Sequence, residues 1–193
     1  LGWPFVDACL RCLRQTGWIN FRMRAMLVAV ASYHLWLDWR LTAPIFARWF
    51  TDFEAVIHFS QMQMQAGTTG INANRIYSPI KQSEDQDPDG QFIRQWVPEL
   101  SQVSSEWIHT PWKMPLSLQQ RFGCVIGKHY PEPIGEPTQL AREARAKLKL
   151  WIEQHDLRPE TARVLETHGS RRKQSRPRKT KKVSDQQISL DLE

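Results

Sequence analysis

Between Asn20 and Trp39 the chain is apolar on nearly every side once its first turn is past, and the stretch from Met26 to Leu37 is broken only at Ser32 and His34. A helix with no polar face has to be buried all round, so this run predicts a central helix that the rest of the chain must wrap. It falls short of the roughly 20 uninterrupted apolar residues that cross a bilayer, and no membrane span is expected. Most other periodic segments are also helical in spacing. Pro4 to Arg14 places proline in a first turn ahead of apolar residues at helical intervals. Ala43–Phe50 and Asp52–Gln65 read as two further helices, and a short one, FIRQWV, follows the DPDG turn at 87–90. Thr138–Gln154 carries Leu140, Ala144, Leu148 and Trp151 on one face, and Pro159–His168 is a last short helix stopped by Gly169. GTTGINANR is a loop by composition, and Pro131, Pro133 and Pro137 mark an extended connector. The ordered part is predicted to be all-α.

With 193 residues the chain can bury one good-sized core. The organisation expected is a helical unit over residues 1–155, a short terminal helix within 156–169, and a disordered tail over 170–193. The tail dominates the charge. The eight basic residues Arg171, Arg172, Lys173, Arg176, Arg178, Lys179, Lys181 and Lys182 exceed the net charge of +6, so everything else carries −2. Such a run offers nothing to offset the entropy of ordering it, and it binds nucleic-acid phosphates without sequence preference or serves as a solubilising tail. Three cysteines without even pairing point to a reducing, cytoplasmic compartment. Cys9 and Cys12 form a lone CLRC; with Cys124 the only other thiol, four ligands are not assembled, and two buried structural thiols are expected and no metal. The chain opens on Leu1 inside a structured segment, as a piece of a longer protein would.

Two spacings bear on chemistry. Arg22 and Arg24, two apart on a helix, point about 200° from each other, so one can face inward while the other faces solvent. An inward guanidinium needs an acidic partner, and Asp52 and Glu54 are at hand. Glu54, His58 and Met62 then follow at four-residue steps along one stripe. Spacing alone leaves open whether this is an ion pair with packing around it or a cofactor site.

The segments TGWINFRMR (16–24), LDWR (37–40), TDFE (51–54), RIYSP (75–79), DPDGQFIRQWVPEL (87–100), HTPWKMP (109–115) and YPEPI (130–134) resemble, in order, the C-terminal half of the photolyase/cryptochrome family. The resemblance runs from Gly2 to about Leu150. It implies the multi-helical FAD-binding domain of a light-dependent flavoprotein, with an antenna-chromophore domain and the first flavin contacts upstream. By resemblance Arg24 matches the arginine paired with an aspartate beside the isoalloxazine ring, Asp52 that aspartate, and Glu54 a second acid near the flavin. His58 falls where the family faces flavin N5, usually with Asn or Asp, and would tune the flavin's redox state. Trp39 matches the middle member of the tryptophan electron-transfer chain, with Trp36 three residues earlier on the same helical face as a further relay. Arg22 and Arg75 match arginines that hold DNA phosphates next to a lesion.

Where the family reads WQW this chain reads MQM, residues 62–64. Met62 replaces the tryptophan nearest the flavin, and Met64 one that stacks on the flipped-out lesion. Phe21 replaces an asparagine that contacts lesion or flavin and is able to stack on a flipped base in its stead. The resemblance therefore implies a divergent photolyase-like branch. The activity implied is deoxyribodipyrimidine photo-lyase-like repair, in which light-excited reduced FAD passes an electron to a pyrimidine dimer in DNA and takes it back after bond scission. The alternative is a cryptochrome-like blue-light sensor without repair. The 193 residues on their own are expected to be inactive, since half the flavin pocket is missing. The last motif, QISLDL at 187–192, resembles the hexapeptide with which bacterial DNA-processing proteins dock on the β sliding clamp, with Gln187, Leu190 and Leu192 in the matching places.

Overall fold

The computed structural model describes residues 1–69, 75–155 and 158–168. Its first helix, α1 (Pro4–Thr16), starts on proline, which has no N–H to leave unsatisfied there, and buries Phe5, Val6, Cys9, Cys12 and Leu13. It stops at Gly17, whose left-handed φ of 74° lets its N–H reach the Leu13 carbonyl at 2.8 Å. A Cβ at this position would lie 2.2 Å from Thr51 Cγ2, so the turn also seats the start of the loop that carries Asp52. Cys9 and Cys12 are buried free thiols, and burial pushes the Cys9 thiol far up.

The predicted central helix is in fact three pieces. Asn20 caps α2 (Phe21–Ala29) by accepting the Met23 N–H at 3.0 Å, and Ala25 to Ala29 are all buried. The helix then widens into a π turn at Val30–His34, and Trp36, at φ 52°, breaks it. Asp38 starts α3 (Trp39–Trp49) afresh, its carboxylate accepting the Arg40 N–H at 2.8 Å. Trp36 and Trp39 therefore do not share a helical face, and the relay expected between them on that ground is lost. The apolar run indicated burial correctly but carried no sign of the break, because an aspartate between two tryptophans reads as an interior residue until its side chain is seen on the backbone.

Helix α4 (Ala55–Gln65) begins three residues later than expected, with Glu54 as its cap: a carboxylate oxygen accepts the Ile57 N–H at 2.7 Å. Ser78 caps α5 (Pro79–Gln86), a helix the periodicity did not reveal. In the DPDG turn the buried Asp87 accepts the N–H groups of Phe92 and Ile93 at 3.0 and 2.9 Å and so launches α6 (Gln91–Trp96). A short α7 (Leu116–Arg121), α8 (Pro137–Gln154) and α9 (Arg158–His168) complete the described helices. The described residues hold one isolated β-bridge, Ile126 to Tyr130, and the architecture is all-α.

Helix α1 packs on α2, α5 and α6, and the shared core gathers Trp3, Leu13, Ile19, Met26, Met62, Ile93, Leu100 and Ile108, each almost wholly removed from water. Each such side chain stabilises the fold by about 1.5–3 kcal/mol relative to exposure. Trp3 donates its indole N–H to the Gly135 carbonyl at 3.0 Å, tying the first helix to the proline-rich connector. From there α8 lies against the π turn, with Ala29, Tyr33 and Ala144 buried between them. No helix among the described residues is long and apolar enough to cross a membrane. The 170–193 tail, including Gln187, Leu190 and Leu192, lies outside the described residues.

Candidate functional site

Helices α2 and α4 pack against each other, and the groove they leave holds the predicted residues. A cavity of about 250 Å³ is lined by Phe21, Arg24, Val28, Phe50, Phe53, Glu54, Ile57, His58, Gln61 and Met62, with Asp52 at its rim. Its most defined polar element is a two-pronged ion pair: Arg24 Nη1 and Nη2 donate to the two Asp52 carboxylate oxygens at 3.0 and 2.7 Å. Arg24 Nε donates to the Ile19 carbonyl at 2.9 Å, and its guanidinium lies over the Phe50 ring, 4.2 Å from the centroid. The arginine holds the Asp52 carboxyl below the usual range. The pair is open, with Arg24 25% and Asp52 49% exposed, so it is a wall of the cavity and not a buried strut.

His58 sits one turn into α4, its Nε2 2.9 Å from the Ala43 carbonyl. A carbonyl only accepts, so Nε2 carries a proton, and in the neutral ring Nδ1 is an acceptor. The ring is wedged edge-on among Phe50, Phe53 and Phe59, at 6.0, 5.3 and 5.3 Å between centroids. Glu54 lines the same cavity, but its carboxylate is engaged in capping α4. Met62 closes the floor, 2% exposed.

A second cavity of about 210 Å³ adjoins the first and is lined by Phe21, Arg22, Met64, Gln65, Arg75 and Tyr77. Phe21 and Gln65 belong to both cavities and form the wall between them. Arg22 is exposed while Arg24 is half-buried, as the two-residue offset on a helix requires. Arg75 lies over the Tyr77 ring at 5.7 Å. The structure thus brings Phe21, Arg22, Met64 and Arg75 to one cavity and Arg24, Asp52, Glu54 and His58 to the other. Trp39 lines neither; it is half-buried at the start of α3, with Arg40 stacked over it at 5.1 Å.

Several lining residues escaped the sequence reading: Phe50, Phe53, Gln61, Gln65 and Tyr77. The two glutamines had a signal. They stand three and seven residues after His58, the helical spacing that puts them on its face. This also explains the Gln–Met alternation at 61–65: on a helix it has no strand-like meaning, and Gln61, Met62, Met64 and Gln65 divide between the two cavities.

The family model for the FAD binding domain of DNA photolyase matches residues 1–150. The chain belongs to the photolyase/cryptochrome family. This FAD-binding domain is 33% identical to a deoxyribodipyrimidine photo-lyase of Alkalihalophilus pseudofirmus over 77% of the chain, and 35% identical to cryptochrome-2 of Arabidopsis thaliana over 76%. It spans 31% and 24% of the lengths of those two relatives. A crystal structure of a bacterial class III photolyase from Agrobacterium tumefaciens superposes with a TM-score of 0.74 at 32% identity, covering 80% of this chain and 32% of that one. The cofactor of the domain is FAD. The residues present suit it. The carboxamide oxygen of Gln61 is buried on the cavity wall without a hydrogen-bond partner, an acceptor waiting for a donor. Beside it stand a charge pair and flat apolar walls from Phe50 and Phe53. At about 250 Å³ the cavity is smaller than those that enclose a drug-sized ligand.

Proposed function

We propose that the protein is a light-dependent DNA-repair flavoprotein of the deoxyribodipyrimidine photo-lyase type, acting on pyrimidine dimers. The observation that carries this is the shared wall of Phe21 and Gln65 between a cavity suited to the flavin ring and one edged by Arg22 and Arg75. Bound FAD supplies the electron chemistry. Arg24, Asp52, Gln61 and His58 hold and orient it, with Glu54 fixing the helix that carries His58. Arg22 and Arg75 hold phosphates either side of a flipped base, while Phe21 and Met64 contact the base itself. Phe21, 62% exposed, offers an aromatic face to such a base. Trp39 is assigned to electron supply.

A second reading, a blue-light sensor of the cryptochrome kind, is favoured by one feature: buried Met62 and half-buried Met64 stand where the family resemblance expects two indoles. A thioether is a poorer electron relay and a poorer stacking partner than indole. The basic run 171–182 adds affinity for DNA phosphates in a bacterial cytoplasm, and Gln187, Leu190 and Leu192 dock on the β sliding clamp.

Two measurements test the reading. Arg24→Ala removes three hydrogen bonds, but at 25% and 49% exposure the ion pair costs only about 1 kcal/mol of stability to lose. FAD retention should fall far more than that. On FAD-loaded protein, thymine-dimer duplex should bind more tightly than undamaged duplex and lose its dimer under blue light. Equal binding with the dimer intact would give the sensor reading the field.

A further inference from the structure

The last turns of α8 leave a strip of rings and one lysine that neither cavity uses. Trp151 is 49% exposed, and the His155 ring is stacked on it, 4.5 Å between centroids and 23° between planes. This stack is held in place: His155 Nδ1 donates to the Trp151 carbonyl at 2.8 Å, and the His155 backbone N–H bonds the same oxygen at 3.1 Å. One turn back, Lys147 lies over Trp36 at 4.9 Å, and Trp36 is itself 46% exposed and held at a left-handed φ of 52°. Lys147, Trp151 and His155 follow at four-residue steps, so they share one face of the helix. Arg142, Arg145 and Lys149 are exposed on the opposite side of the helix, Lys149 within 3.7 Å of Glu153.

The strip is continuous with the Arg22–Arg75 cavity. Leu148 packs in the cluster that includes Tyr77, and Tyr77 lines that cavity next to Arg75. Open rings beside a lysine, the Trp151–His155 stack pre-set by its own hydrogen bonds, suit the bases and phosphates of an unpaired strand, where any base has a face to stack.

We propose that the C-terminal end of α8 is a second nucleic-acid surface, on which Trp151 stacks a base of an unpaired DNA strand while Lys147, one turn back on the same face, meets a phosphate. It extends the contact made at the lesion cavity along the strand, and so rests on the reading of that cavity as DNA-facing. An anionic membrane is the competing partner for a basic helix end with Leu150, Trp151 and Ile152 exposed. The cluster that Leu148 shares with Tyr77 leads instead toward Arg75 and the second cavity.

The test is fluorescence anisotropy of the chain with a short labelled oligothymidylate, an undamaged blunt duplex and a thymine-dimer duplex. Trp151→Ala should weaken oligothymidylate binding about tenfold, leave blunt-duplex binding unchanged, and keep the salt slope. Trp151→Phe should restore most of the loss, and Lys147→Gln should reduce the slope of log affinity on log salt by about 0.7. Wild-type affinity in Trp151→Ala, or a Phe variant as weak as the Ala variant, overturns the proposal. So does Trp151-dependent sedimentation with phosphatidylserine vesicles in place of oligothymidylate binding. Preference for the dimer duplex should vanish in Arg22→Gln and persist in Trp151→Ala. Were that preference missing from the wild type, the repair reading would fall while the oligothymidylate arm still decided this one.

Discussion

His34 offers a direct measure of how tightly the broken central segment is sealed. The side chain ends the π turn, is 5% exposed, and meets the edge of Trp3 at 5.6 Å between ring centroids. Burial lowers its pKa from 6.5 to about 4; the Ala29 carbonyl offsets part of this and the Arg145 cation adds to it. A depressed histidine pKa means the folded state refuses a proton that the unfolded chain accepts. The associated stability is intact above the unfolded pKa of 6.5 and drains as pH falls toward 4. At about pH 5 the loss relative to about pH 7.5 amounts to roughly 2 kcal/mol from this residue alone. His34→Phe keeps an aromatic edge for Trp3 and removes the titration. Urea unfolding of both proteins at the two pH values isolates the term, because the carboxylates are common to both. The wild type should lose about 2 kcal/mol more than the variant on acidification. Parallel losses would show that His34 reaches water in the folded state and would refute the sealed packing of Trp3, the π turn and α8.

Asp87→Ala should cost about 2–3 kcal/mol in urea melts, since it strands the Phe92 and Ile93 N–H groups, while Asp87→Asn, which keeps an acceptor, should cost less. In FAD-loaded protein, His58→Asn exchanges a lone-pair acceptor at Nδ1 for an amide that also donates. A stepwise reductive titration followed by absorbance should show altered spectral forms, and superimposable titrations would remove His58 from flavin tuning. Deleting residues 170–193 should weaken binding to every DNA alike and flatten its salt dependence without touching the preference for damage. A free peptide of the last ten residues should bind the sliding clamp and lose that binding when Leu190 and Leu192 become Ala; equal behaviour of the two peptides would leave the tail a basic arm.

Periodicity, punctuation and composition were enough for the all-α class, for α1, α6 and α8, and for the opposite facing of Arg22 and Arg24, because each depends on neighbours within a few residues. The DPDG turn is the clearest case: proline, glycine and a capping aspartate carry their geometry with them into any fold. The family resemblance added which residues to expect beside a flavin, an expectation no spacing could supply. Tertiary structure alone decided the rest. The apolar run from Asn20 to Trp39 is equally compatible with one helix or three, and the break at Trp36 depends on what α8 and Trp3 press against it. Phe50, Phe53 and Tyr77 are ordinary aromatic residues in the sequence and become cavity walls only when α2, α3 and α4 meet. Arg24 and Asp52 form a pair either way, but whether the pair is a buried strut or an open wall turns on exposure, which a sequence does not contain. Burial is a property of contacts between distant segments, and those contacts exist only after the chain has closed on itself.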